Sequence, residues 1–135
     1  MTHTAVLLLG SNLPHREKQL DAAVARMAAV TVITGRSSIY VSPDRSGLGK
    51  PYANMVIQCD TQLDISELRK YISDTERCLG RTPQSKTIGM MPIDIDLVLW
   101  DGKVISRSDY DSPHYLQCMS TMSLHMEQPI RLNNN

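Results

Sequence analysis

The stretch MMPIDIDLVLW, residues 90–100, places Asp94 and Asp96 in a run that otherwise has the aliphatic composition of a buried strand. Side chains alternate along a strand, so the two carboxylates share one face while Ile93, Ile95, Leu97 and Leu99 take the other. The rise per residue separates the two Cα atoms by about 6–7 Å, so both acids can reach one hydrated cation or an adjacent pair. Two anions this close repel each other, and burial raises that cost. Positive charge is therefore required, and Mg²⁺, which takes oxygen ligands and shares its shell with water and phosphate, supplies it without a full protein cage. Taken alone, the spacing is more often that of a solvated charged face, with Lys86 or Arg81 as simple ion-pair partners.

The elements around this strand define the fold expected. TAVLLLG, residues 4–10, is an apolar run closed by Gly, as in a central strand. From Pro14 onward Leu20, Ala23, Val24 and Met27 recur at helical spacing, with Arg16, Glu17, Lys18, Asp21 and Arg26 on other faces. Residues 31–42, TVITGRSSIYVS, are β-branched and interrupted by Gly35, which predicts one long strand with a bend or bulge. A Pro- and Gly-rich loop at 43–51 leads to a further strand, YANMVIQCD, at 52–60. Asp64 followed by Glu67 is a capping-box variant opening a helix in which Ile65, Leu68, Ile72, Thr75 and Leu79 share a face, ending at Gly80. Residues 81–92 show neither period and read as a mobile loop. The opening stretch then supplies the fourth strand, and DGK (101–103) turns into a short VI pair. Strand, helix, strand, strand, helix, strand predicts an α+β, ferredoxin-like split βαβ domain, with a four-stranded antiparallel sheet carrying both helices on one face. The tail from residue 116 has weak signals, and its last few residues are expected to be loosely ordered.

Composition narrows the function classes. The 135 residues suit one domain, and 14 basic residues balance 14 acidic ones, so a phosphate would have to be held locally rather than by overall charge. Zero net charge and the absence of Phe argue against a nucleic-acid binder, and AVLLL at 5–9 is too short for a membrane span or a signal core. Cys59, Cys78 and Cys118 are odd in number and scattered, which points away from a disulfide framework or zinc cluster and towards a reducing cytoplasm.

Several short motifs occur in a definite order: GSN at 10–12, YVSP at 40–43, YANM at 52–55, Glu76 through Arg81, PIDIDLVLW at 92–100 and SPHY at 112–115. Together, over about residues 4–122, they resemble the 6-hydroxymethyl-7,8-dihydropterin pyrophosphokinases of folate biosynthesis. The resemblance implies the ferredoxin-like fold and transfer of pyrophosphate from ATP to the pterin hydroxymethyl group, with AMP released. It implies that Asp94 and Asp96 hold two Mg²⁺ ions and, with Arg81, form the catalytic set. Ser42, Pro43, Tyr52, Asn54 and Met122 would contact the pterin. Glu76, Arg81, Lys86, Leu97, His114 and Tyr115 would lie on the ATP side. Taken singly, each has an ordinary structural reading: Asn54 as a turn cap, Tyr52 as a half-buried core residue, His114 as a loop histidine.

The chain departs from the family pattern before the acidic strand. Met91 stands where a phosphate-clamping Arg is expected, Thr87 and Ile88 replace an Arg and an aromatic, and only Gly89 is kept. A thioether cannot neutralise phosphate. SDYD (108–111) precedes SPHY where a basic residue is common, so Asp109 and Asp111 would repel a triphosphate, and Met122 replaces a stacking Phe. Three readings follow: a pyrophosphokinase using Arg81 and Lys86, a pterin- or nucleotide-binding homologue with little turnover, and an unrelated ferredoxin-like interaction domain.

Overall fold

The computed structural model describes residues 1–122. Strand β1 (His3–Ser11) is buried from Ala5 to Ser11, and its unbroken apolar run reflects cover on both faces. It pairs antiparallel with β4 (Tyr52–Thr61) on one side and with β5 (Asp94–Trp100) on the other. The three form the centre of an antiparallel sheet ordered β2, β4, β1, β5, β6, where β2 is Val32–Arg36 and β6 is Lys103–Val104; β3 (Tyr40–Ser42) pairs with β4.

Six strands replace the four expected. The single long strand at 31–42 is two pieces: the register shifts between Ile33 and Gly35, and pairing resumes only at Tyr40. Between them Ser37 takes over the bonding to β4, donating its N–H to Val56 O at 2.9 Å and accepting Val56 N–H on Oγ at 2.9 Å. A side-chain oxygen thus stands in for a carbonyl where the chain bends. At the other edge, Asp101 and Gly102 adopt positive φ (50° and 80°), so the turn folds β6 back on β5.

Helices α1 (Arg16–Met27) and α2 (Ile65–Cys78) cover one face. Leu20, Ala23 and Met27 from α1 and Leu68 and Ile72 from α2 meet Leu7, Leu9, Met55, Ile57, Ile93 and Ile95. The capping box at the start of α2 is formed in full: Glu67 N–H donates to Asp64 Oδ1 at 2.8 Å and Asp64 N–H to Glu67 Oε1 at 2.9 Å.

The opposite face carries a helix that the weak signals after residue 116 did not suggest. After a four-residue turn of helix, α3 (Arg107–Tyr110), residues 113–122 form α4, which lays Tyr115, Cys118 and Met122 over Val6, Leu8, Val56 and Val98. The loose order expected of the last few residues concerns positions outside those described. Strand β5 also carries an irregularity: Val6 pairs with Leu99 but Leu7 with Leu97, so Val98 is an extra residue. As a result Leu99 packs on the α4 side, with Val98, rather than with Ile95 and Leu97. Among the described residues no helix is long and apolar enough to cross a membrane.

Candidate active site

Register brings the motifs together. Gly10 of β1 faces Asn54 of β4 on one side and Asp94 of β5 on the other, and two residues along Leu8 pairs with Asp96. Their side chains project from the face that α4 partly covers, and beyond α4 they line a cleft of about 360 Å³. Gly10 keeps its floor open: a Cβ there would stand 3.4 Å from both Asn54 Oδ1 and Tyr52 Cδ2.

One wall is made of Ser42, Pro43, Tyr52 and Asn54, with Tyr40. Asn54 is buried and held, its amide Nδ2 donating to Tyr40 O and to Ser42 Oγ, each at 2.8 Å. The two-strand break at 37–39 has a purpose here, because it lets β3 pair with the start of β4 and bring Tyr40 and Ser42 to Asn54.

The other wall is acidic. Asp94, Asp96 and Asp109 line it, and burial, with Asp94 close by, pushes the Asp96 carboxyl up to about 8. Arg81 Nη1 donates to Asp94 Oδ1 at 2.8 Å and to Glu76 Oε2 at 2.7 Å, and the same Glu76 oxygen accepts Ile95 N–H at 2.8 Å. Burial raises the Glu76 carboxyl as well. His114 lies on the rim, held below its ordinary value by burial and by Arg45. An all-oxygen donor set of two carboxylates, one reluctant to ionise alone, suits a hard cation that keeps water or phosphate in its shell. Among the described residues there is no cluster of three or more His, Cys, Asp or Glu to enclose a metal fully.

A second cavity of about 300 Å³ adjoins the acids, walled by Ile72, Leu97, Ile105 and Arg69 and sharing Asp96 and Asp109 with the cleft. Leu97 therefore sits at this neighbouring cavity. Lys86 is exposed and lines neither space, while Tyr115 and Met122 are buried beneath α4 in the second core. Arg69, Asp44, Arg45 and Leu8 line the two spaces without having been singled out. For Asp44 and Arg45 the signal was available, since they directly follow YVSP; Arg69 looked like any solvated helix position.

The loops flanking the cleft are pinned at one residue. Asn12 accepts Met91 N–H on Oδ1 at 2.7 Å, and its Nδ2 donates to Lys50 O at 3.2 Å and Gly89 O at 3.0 Å. The loops touch at Gly49 and Gly89, where a Cβ on Gly49 would come within 2.1 Å of Gly89 O. The segment 81–92, expected to be mobile and irregular, is a series of turns with Met91 fixed at its end. Asn12→Ala removes three buried or part-buried bonds; urea denaturation should show a loss of about 2–3 kcal/mol, and both loops should become more sensitive to protease. An unchanged midpoint would mean that Asn12 does not hold them.

Met91 itself is 2% exposed, so the position expected to carry a phosphate-clamping Arg faces the interior. Met91→Arg should not restore a clamp. It buries an unpaired cation at an estimated cost of about 3–5 kcal/mol, measurable in the same denaturation experiment.

Residues 6–126 match the family described as 7,8-dihydro-6-hydroxymethylpterin-pyrophosphokinase (HPPK). The chain belongs to this family. It is 35% identical over 118 residues to the 2-amino-4-hydroxy-6-hydroxymethyldihydropteridine pyrophosphokinase of Bacillus subtilis, covering 84% of this chain and 70% of that protein. It is 28% identical over 111 residues to the folic acid synthesis protein FOL1 of Dictyostelium discoideum, of which it spans 17%. Among solved structures, the HPPK-DHPS of Plasmodium falciparum with pteroate matches with a TM-score of 0.50 at 13% identity, over 75% of this chain and 27% of that one. That likeness concerns the fold. HPPK membership sets this chain among pyrophosphokinases of folate biosynthesis, which act on small molecules with ATP as co-substrate.

Proposed function

We propose that this chain transfers pyrophosphate from ATP to 6-hydroxymethyl-7,8-dihydropterin with Mg²⁺, releasing AMP, on a split βαβ, ferredoxin-like scaffold. The observation that carries the reading is the row Asn54, Gly10, Asp94 across three paired strands, which sets a polar, ring-sized pocket directly against two carboxylates. Asn54 and the Ser42–Pro43 backbone read the polar edge of the pterin, and Tyr52 lies against its ring. The nucleoside occupies the second cavity beside Leu97, which directs its phosphates past Asp96 and Asp94. Asp94 and Asp96 would hold Mg²⁺, which would supply charge neutralisation at phosphorus, and the chain's own part is to align the two substrates. Arg81 turns from Asp94 to phosphate, and His114 meets it from the rim. Tyr115 and Met122 act through packing under α4, and exposed Lys86 contributes general charge only. A cytoplasmic location fits three free cysteines.

A second reading, pterin or nucleotide binding with little turnover, is favoured by buried Met91 and by Asp109 on the cleft wall. AMP formation that requires both pterin and Mg²⁺ separates them. A folded chain stabilised against heat by the pterin but yielding no AMP would support the second.

A further inference from the structure

Only two of the residues lining the cleft also line the adjoining cavity: Asp96 and Asp109. Asp96 is the partner of Asp94, but Asp109 comes from α3, a separate element, and is fixed in place by the Ser106 hydroxyl, which donates to its Oδ2 at 2.7 Å. Among the described residues Asp109 makes no ion pair, whereas its neighbour Asp111 is tied to Arg107 at 3.3 Å. The cations nearby are outnumbered. Arg81 is taken up by Asp94 and Glu76; among the described residues Arg45 is the one Lys or Arg lining the cleft and Arg69 the one lining the second cavity, against Asp44, Asp94, Asp96 and Asp109. With the nucleoside in the second cavity, as proposed above, a polyphosphate reaching the cleft runs past the two residues that both spaces share, Asp96 and Asp109.

Resting on the function proposed above, we propose that Asp109 is a specificity-determining residue that makes nucleotide occupancy conditional on divalent cation. Its carboxylate repels a bare polyphosphate and tolerates one whose charge a metal has neutralised. The chain thereby rejects free nucleotide and admits the metal complex. This selection needs no contact between Asp109 and the metal, since it works through charge across the passage.

The test is calorimetric titration of the full chain with α,β-methylene-ATP, once in EDTA and once in saturating Mg²⁺. In EDTA, Asp109→Asn should bind the analogue about tenfold more tightly than the parent chain, and with Mg²⁺ the two should agree within about twofold. Asp109→Glu, which keeps the charge, should behave like the parent, an outcome that a merely structural role for Asp109 would not give. Asp109→Ser replaces the Asn variant should that fail to fold. Equal affinity of the parent and the neutral variant in EDTA would overturn the inference, as would a loss confined to the Mg²⁺ titration, which would make Asp109 a metal ligand. No binding by the parent chain under either condition would overturn the proposed function itself.

Discussion

Replacing Asp94 and Asp96 together by Asn is expected to abolish Mg²⁺-dependent turnover, lowering it by at least about 10⁴-fold, while leaving the protein as stable as before or more so. The two effects share one cause. Asp96 is half-buried beside Asp94, and its carboxyl is pushed up to about 8, so the folded chain bears an unfavourable juxtaposition that neutral amides relieve. Arg81 would lose one partner but keep Glu76 at 2.7 Å. The same burial makes cation binding proton-coupled. Below pH 8 the protein must give up a proton to ligate through Asp96, so Mn²⁺ binding to the parent chain should tighten with rising pH, by about tenfold per unit at most, and level off above it. Calorimetry in buffers of different ionisation enthalpy measures that proton directly. Turnover within tenfold of the parent in the double variant would remove these carboxylates from the chemistry.

Arg81→Gln is expected to move two measurements in opposite directions. Arg81 now supplies the positive charge that Asp94 requires, at 2.8 Å, so an incoming metal has to compete with a guanidinium for the same carboxylate. Without it, Mn²⁺ should bind the nucleotide-free protein about tenfold more tightly, as read by electron paramagnetic resonance. Turnover should nevertheless fall by about 10²–10³-fold, because the charge that ought to turn to phosphate is gone. Glu76 keeps only its bond from Ile95 N–H, so a lower melting temperature accompanies both effects. Weaker Mn²⁺ binding in the variant would mean that Arg81 supports the metal site instead of filling it.

Much of this site was legible in residues 90–100 because strand alternation is rigid: once β5 is a strand, Asp94 and Asp96 must share a face. The same rule misplaced Leu99, since an extra residue at Val98 changes the phase and nothing in an all-aliphatic run marks a bulge. Asp64 with Glu67 announced α2 through local bonding alone. Helix α4 was announced as well, by Ser112 and Pro113: Ser112 Oγ accepts Tyr115 N–H at 3.3 Å, and Pro occupies the first helical position. As part of SPHY those residues read only as a motif, and the apolar face behind them is built of Tyr, Cys and Met, which gives a weak periodic signal. The split of residues 31–42 could not be seen, because it depends on Ser37 meeting Val56 across the sheet. Likewise the interior position of Met91 follows from Asn12, 79 residues away, and not from anything in its own loop.

The most direct measurement follows the phosphorus. The chain is incubated with ATP labelled at the β-phosphate, Mg²⁺ and 6-hydroxymethyl-7,8-dihydropterin, and the products are separated. Label in a pterin diphosphate, matched by an equal amount of AMP, is the expected result. Label confined to ADP, or to ATP left intact while the pterin is bound, would contradict pyrophosphate transfer at this cleft.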